Sequence, residues 1–137
     1  MPTVSKKVSP QPAYKIFISS TYTDMIPYRD ALQNAINNCD AIAYGMERFV
    51  PASIRPLDRC YEEIAASQIF VLLVGHRYGS VDKETGKSYT ELEYERAKEN
   101  GLPILAFLLD TEKVGTLEKF RESDEQYNAL IRFKNTL

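Results

Sequence analysis

Ile69-Phe70-Val71-Leu72-Leu73-Val74-Gly75 is the stretch that decides the fold. It is uncharged, rich in β-branched and aromatic residues, and closed by a glycine. It is too short for an ordinary helix of about 10 residues or more, so it reads as a strand. Apolar residues stand at both parities, so both faces of that strand are buried. Such a strand belongs at the centre of a parallel sheet covered by helices on both sides.

The segments around it agree. Upstream, residues 57–67 place Leu57, Cys60, Tyr61, Ile64 and Ala65 on one stripe, the spacing of an amphipathic helix. Downstream, a loop begins at His76-Arg77-Tyr78-Gly79-Ser80 and runs through Gly86. A helix from about Thr90 to Asn100 then stops at Gly101, a residue suited to the left-handed turn that ends helices. Residues 103–109 form another strand, again apolar on both faces. Towards the N-terminus, Lys15-Ile16-Phe17-Ile18-Ser19 predicts a first strand that runs into the capping cluster Ser19 to Asp24. A helix follows, with Met25, Tyr28, Ala31, Leu32, Ala35 and Ile36 on its predicted apolar face and Pro27 in its first turn. Residues 41–44 are a short strand and residues 51–56 a loop. A last amphipathic helix carries Phe120, Tyr127, Leu130, Ile131 and Phe133. The order β-α-β-α-β-α-β-α implies right-handed crossovers and a parallel α/β sheet of four to five strands. Residues 1–13, rich in Pro, Ser and Lys, are expected to be a disordered leader. The domain is expected at 14–137, trimmed before a final strand and helix.

Bulk properties exclude several classes. Seventeen basic residues against 19 acidic ones leave a charge of −2, without the basic excess of a nucleic-acid surface. No apolar run approaches the roughly 20 residues of a membrane span. One His and two separated cysteines, Cys39 and Cys60, argue against a structural zinc site and fit a reducing cytoplasm. Cys60 lies on an apolar stripe and reads as core. The phosphate-loop, dinucleotide and esterase glycine motifs are missing from the sequence.

In a parallel sheet, the loops after the strands open on one edge, where ligands bind. Here they hold Ser19-Ser20-Thr21, Gly45-Met46-Glu47-Arg48, His76 to Ser80, and Asp110. Hydroxyls, helix-start amides and arginines suit a phosphate- or sugar-bearing ligand. The same residue types also make ordinary caps and turns.

Ser88-Tyr89-Thr90-Glu91-Leu92-Glu93 opens the third helix at that edge. Residues four apart share a helix face, so Glu93 goes with the small, sheet-facing Ala97, and Glu91 with Glu95. Glu93 therefore points inward, while Glu91, Glu95 and Lys98 look like a solvated face. An inward carboxylate can serve as acid, base or nucleophile. Thr90-x-x-Glu93 is equally a capping box, which needs no chemistry. Spacing leaves both readings open.

Tyr14 to Met25, Gly45-Met46-Glu47-Arg48-Phe49, Val74-Gly75-His76-Arg77-Tyr78-Gly79-Ser80 and Ser88 to Glu93 occur in that order. Together, over about residues 14–135, they resemble a TIR-like family of unknown function, within a wider group that includes TIR domains and nucleoside deoxyribosyltransferases. The resemblance implies a flavodoxin-like three-layer fold in a cytoplasmic signalling or immune protein, often ahead of a NACHT or other STAND-type ATPase module. It implies self-association into a homo-oligomer, and NAD or a related nucleotide as substrate rather than cofactor. In enzymatic TIR domains a Glu at the start of this helix is needed to cleave the nicotinamide–ribose bond. In the transferases a comparable Glu attacks the sugar. Both commonly carry Ala four residues on, as in Glu93 to Ala97, so the resemblance favours Glu93 as catalytic. Ser88 stands one residue closer to Glu93 than is usual in TIR enzymes, so a shifted alignment keeps Glu91 as second choice. Ser19, Ser20, Thr21, Glu47, Arg77, Tyr78 and Ser88 are the implied substrate-binding residues, with no metal. A non-catalytic self-association module and a nucleoside hydrolase or deoxyribosyltransferase are the alternatives.

Overall fold

The computed structural model describes residues 14–45, 57–114 and 118–137. The expected leader, Glu47 and the loop at 51–56 lie outside the described residues. Four strands form one all-parallel sheet: β1 (Tyr14–Ser20), β2 (Ala41–Gly45), β3 (Ile69–Val74) and β4 (Ile104–Leu108), in the order β2-β1-β3-β4. The chain steps from β1 outward to β2, then crosses back to lay β3 on the other side of β1. That reversal places a crevice outside the carboxyl ends of β1 and β3.

Helices cover both faces. On one, α2 (Leu57–Ala65), α3 (Tyr89–Glu99) and α5 (Asp124–Asn135) pack on the sheet. Cys60, Ile64, Ala97, Leu130 and Phe133 meet Phe17, Phe70, Leu72 and Val74 there, and the Phe17 and Phe70 rings stack with centroids 5.6 Å apart. On the other face, α1 (Ile26–Asn37) closes a smaller cluster of Ile18, Met25, Ile36, Ala43, Val71 and Leu73. A four-residue helix, α4 (Thr111–Val114), follows β4. This is the doubly wound, flavodoxin-like architecture, and the alternating pattern of the chain predicts it.

Three expectations about buried faces need correction. On α5, Tyr127 and Ile131 are exposed, and Phe120 lies in a short turn before the helix. The inward face of α1 is Met25, Arg29, Leu32 and Ile36, whereas Tyr28, Ala31 and Ala35 turn outward. A search for apolar residues passes over Arg29, yet this cation occupies the inward position one turn after Met25. Strand β4 is apolar on both faces but is not covered on both. It is an edge strand, and Leu105, Phe107 and Leu108 are 50%, 55% and 47% exposed. Apolar composition reports what a strand tolerates; whether it is covered depends on its place in the sheet.

Helix α3 ends as its sequence implies. Gly101 adopts φ +72°, its N–H donates to Lys98 O at 3.0 Å, and Leu102 N–H donates to Ala97 O at 3.1 Å. This double closure satisfies carbonyls that the last turn would otherwise leave open.

Candidate functional site

Strand β1 ends in two serines, and alternation along a strand sends them to opposite faces of the sheet. Ser19 faces α3, where its hydroxyl donates to Glu93 Oε1 at 2.7 Å. Ser20 faces α1, where its oxygen accepts from Arg29 Nη1 at 2.5 Å while its hydroxyl donates to Thr21 O at 2.6 Å. All four side chains are buried: Ser19 and Ser20 fully, Glu93 at 1% and Arg29 at 2% exposure. One dipeptide at the carboxyl end of β1 thus binds both helical layers.

The loop after β1 is fastened to the loop after β3 by Asp24. Its carboxylate accepts from the Thr21 hydroxyl at 2.5 Å and from the main-chain N–H groups of His76 and Arg77 at 3.0 and 3.1 Å. The fit is close. A Cβ on Gly75 would meet Met25 Sδ at 2.3 Å, and one on Gly79, which holds φ +96°, would meet Thr21 Cγ2 at 2.7 Å. From the other side, Glu122 accepts from Tyr78 N–H at 2.6 Å and Gly79 N–H at 3.1 Å, and it lies 3.6 Å from the Arg77 guanidinium. Gln126 donates to Gly79 O at 3.3 Å. Residues 76–79 are therefore held between an acid from the first loop and an acid before α5.

The cap of α3 differs from the predicted one. Ser88, not Thr90, is the N-cap: its oxygen accepts from Glu91 N–H at 3.1 Å. Glu91, three residues on, does not reach back directly to the Ser88 main chain. The Tyr78 phenol stands between, accepting from Ser88 N–H at 3.0 Å and donating to a Glu91 oxygen. The result is a capping box with a tyrosine inserted. Glu91 is therefore not a plain solvated residue, and Glu93 is not the capping acid. The helix begins at Tyr89, so the capping role falls two residues earlier than the predicted box, on Ser88–Glu91 rather than Thr90–Glu93. Burial raises the Tyr78 pKa above its ordinary value near 10, and its hydrogen bond to Glu91 raises it further. Glu95, also expected on a solvated face, pairs with Lys87 Nζ at 2.6 Å, and this bond raises the Lys87 pKa.

Among the predicted site residues, Ser19 and Glu93 meet, and Tyr78, Ser88 and Glu91 form a second connected group. The hydroxyls of Ser20, Thr21 and Ser88 are engaged in internal bonds. Arg77 is half-buried, with Nη1 donating to the Thr23 hydroxyl at 3.0 Å. Asp110 lies apart from these groups and caps α4, accepting from Glu112 and Lys113 N–H. Three contributors escape sequence reasoning: Arg29, Asp24 as a pin between loops, and Glu122. The phase Met25–Arg29–Leu32–Ile36 is a signal that could have found Arg29. Nothing local marks Glu122, whose partners lie more than forty positions away.

The His76 ring stacks on Phe120, with centroids 5.4 Å apart. It borders a cleft of about 420 Å³ that also includes Gly75, Thr111, Glu122 and Tyr127. Glu93 does not line that cleft. Among the described residues, no group of three or more His, Cys, Asp or Glu is placed to hold a metal ion, and no helix is long and apolar enough to cross a membrane. Cys39 is exposed, and Cys60 is buried on α2, within the core.

Fold and site together define a doubly wound α/β domain with a buried polar cluster at the switch between β1 and β3. The chain belongs to the family described as a domain of unknown function (DUF4062), whose model matches residues 15–137. None of the curated proteins compared matches it.

Proposed function

We propose that this is a TIR-like signalling domain that cleaves the nicotinamide–ribose N-glycosidic bond of NAD, with Glu93 as the catalytic carboxylate. The observation that carries the reading is the pairing of buried Glu93 with Ser19 at the carboxyl end of β1, while Ser88 is the residue that caps α3. A carboxylate at the switch point of a parallel sheet stands where ligands of this architecture bind. Heterolysis sends the bonding pair to nicotinamide and leaves positive charge on the ribose C1′. Glu93 stabilises that oxocarbenium-like state or traps it covalently. Water then supplies the hydroxyl of ADP-ribose, and a proton is released. In this reading Ser19 orients the carboxylate, and Arg77, which pairs with Glu122 in the closed chain, turns to a phosphate when substrate binds.

Glu93 is nearly inaccessible in the closed chain, so substrate reaches it only when the first loop and α3 separate. Assembly of several copies, driven by an attached or partner STAND-type ATPase module, is the condition for that opening. The test is nicotinamide release from NAD by the full chain, dilute and crowded, against Glu93→Gln. Release by the parent and a loss of at least about a hundredfold in the variant are expected. Equal turnover in both chains refutes the assignment. Release of base from nucleosides but not from NAD reassigns the chemistry to a nucleoside hydrolase or transferase.

The same burial favours a second reading, in which Ser19, Ser20, Arg29 and Glu93 are a structural tie. The domain is then a non-catalytic self-association module. That reading predicts concentration-dependent assembly with no turnover under any crowding.

A further inference from the structure

Four consecutive main-chain N–H groups at the carboxyl end of β3 all donate to carboxylates of this same chain. His76 and Arg77 share Asp24 Oδ2 at 3.0 and 3.1 Å, and Tyr78 and Gly79 donate to Glu122 Oε1 and Oε2 at 2.6 and 3.1 Å. The two acids come from opposite halves of the chain, one from the loop after β1 and one from the segment before α5. The Arg77 guanidinium adds its charge to the second pair, 3.6 Å from Glu122 Oε2. Glycines bound the run. A Cβ on Gly75 would stand 3.1 Å from Asp24 Oδ2, besides striking Met25, and Gly79 takes φ +96°. The backbone thus comes close to its acceptors, in a way that no phosphate-loop motif in the sequence announces.

Converging main-chain N–H groups in a loop, backed by an arginine, are a means by which proteins hold phosphate. This loop also lies at the switch between β1 and β3, where ligands of doubly wound sheets bind. The two amide pairs are two residues apart, so at most about 7 Å of chain separates them. That spacing suits two linked phosphates rather than two separate anions. We propose that residues 76–79 form a binding loop for a diphosphate group, and that Asp24 and Glu122 occupy it in the closed chain as internal stand-ins. The incoming diphosphate brings negative oxygens to the same donors, and the two carboxylates turn to water. Arg77, whose side chain is 29% exposed, is the point of entry. Replacing Asp24 also unties the loop after β1 from the loop after β3, the movement that uncovers Glu93. This last consequence rests on the catalytic reading of Glu93; diphosphate binding does not.

The test is calorimetric titration of the full chain with pyrophosphate, ADP and adenosine at constant ionic strength, with amide shifts read by NMR. Pyrophosphate and ADP should bind, adenosine should not, and the amides of residues 76–79 should shift together. The ratio of the first two affinities says whether a nucleoside is recognised beside the diphosphate, and either ratio supports the loop. Glu122→Gln and Asp24→Asn remove an internal charge but keep an acceptor oxygen. Each should tighten pyrophosphate binding at least about tenfold while keeping the parent circular dichroism, because less of the chain is held in the self-occupied form. Arg77→Gln should weaken binding at least about tenfold. Pyrophosphate binding that neither charge-removing variant tightens, that Arg77→Gln leaves unchanged, or that shifts amides elsewhere but not at residues 76–79 overturns the proposal, as does no binding at all. Pyrophosphate bound at these amides in a chain that releases no nicotinamide supports the loop and counts only against the reaction.

Discussion

Ser19 and Glu93, 74 positions apart, share a buried hydrogen bond of 2.7 Å that joins the end of β1 to the first turns of α3. A buried carboxylate depends strongly on its donors, because water does not replace a lost one. Ser19→Ala should lower unfolding stability by about 1–3 kcal/mol, read from urea melts. A change indistinguishable from zero would mean that the hydroxyl is not a working donor to Glu93.

Asp24 holds two loops with one side chain. Asp24→Ala leaves the His76 and Arg77 amides without their acceptor. Those two amides should lose exchange protection by at least about tenfold, and the chain about 1–3 kcal/mol of stability. Unchanged protection at both positions would show that the loops hold together without the pin.

Gly79 and Gly86 both hold positive φ, but only Gly79 faces a wall. A Cβ at Gly86 meets nothing within 4 Å, whereas one at Gly79 meets Thr21 at 2.7 Å. Gly86→Ala should cost about 1 kcal/mol, the backbone penalty alone, and Gly79→Ala at least about 2. Equal midpoints for the two variants in thermal melts would contradict the close approach.

The raised pKa of Tyr78 fixes a direction for alkaline stability. A group whose pKa is higher folded than unfolded contributes stability below its unfolded pKa, near 10 for tyrosine, and loses it as pH rises through the folded value. The melting temperature should therefore fall above about pH 10, where a phenolate would also face Glu91. Tyr78→Phe should be less stable at neutral pH and should flatten that alkaline limb. A parent and variant with parallel profiles up to pH 12 would remove Tyr78 as the cause.

Much of this was legible in the chain. The doubly apolar run at β3 and Gly101 at the end of α3 lie close to their observed places, because each depends on local periodicity or backbone preference. The cluster Ser19 to Asp24 does not cap α1, whose N-cap is Met25 without a side-chain bond; its polar groups bind the neighbouring loops and helices instead. The inward direction of Glu93 followed from helical phase with Ala97. The site was less legible. Thr90–Glu93 satisfies the capping-box spacing as well as Ser88–Glu91 does, and only the Tyr78 phenol, brought in from the preceding loop, distinguishes them.

By itself, the sequence determined the alternation of strands and helices, and with it a parallel sheet covered on both faces, since periods of two and 3.6 are properties of neighbouring residues. The tertiary structure alone decided which polar residues meet. Arg29 reaches Ser20, Asp24 reaches the amides of the next loop, Glu122 clamps residues 78 and 79, and β4 becomes an edge. Each of these depends on strand order and layer, which bring together groups far apart in the chain, and desolvation then favours pairing wherever a polar group is buried.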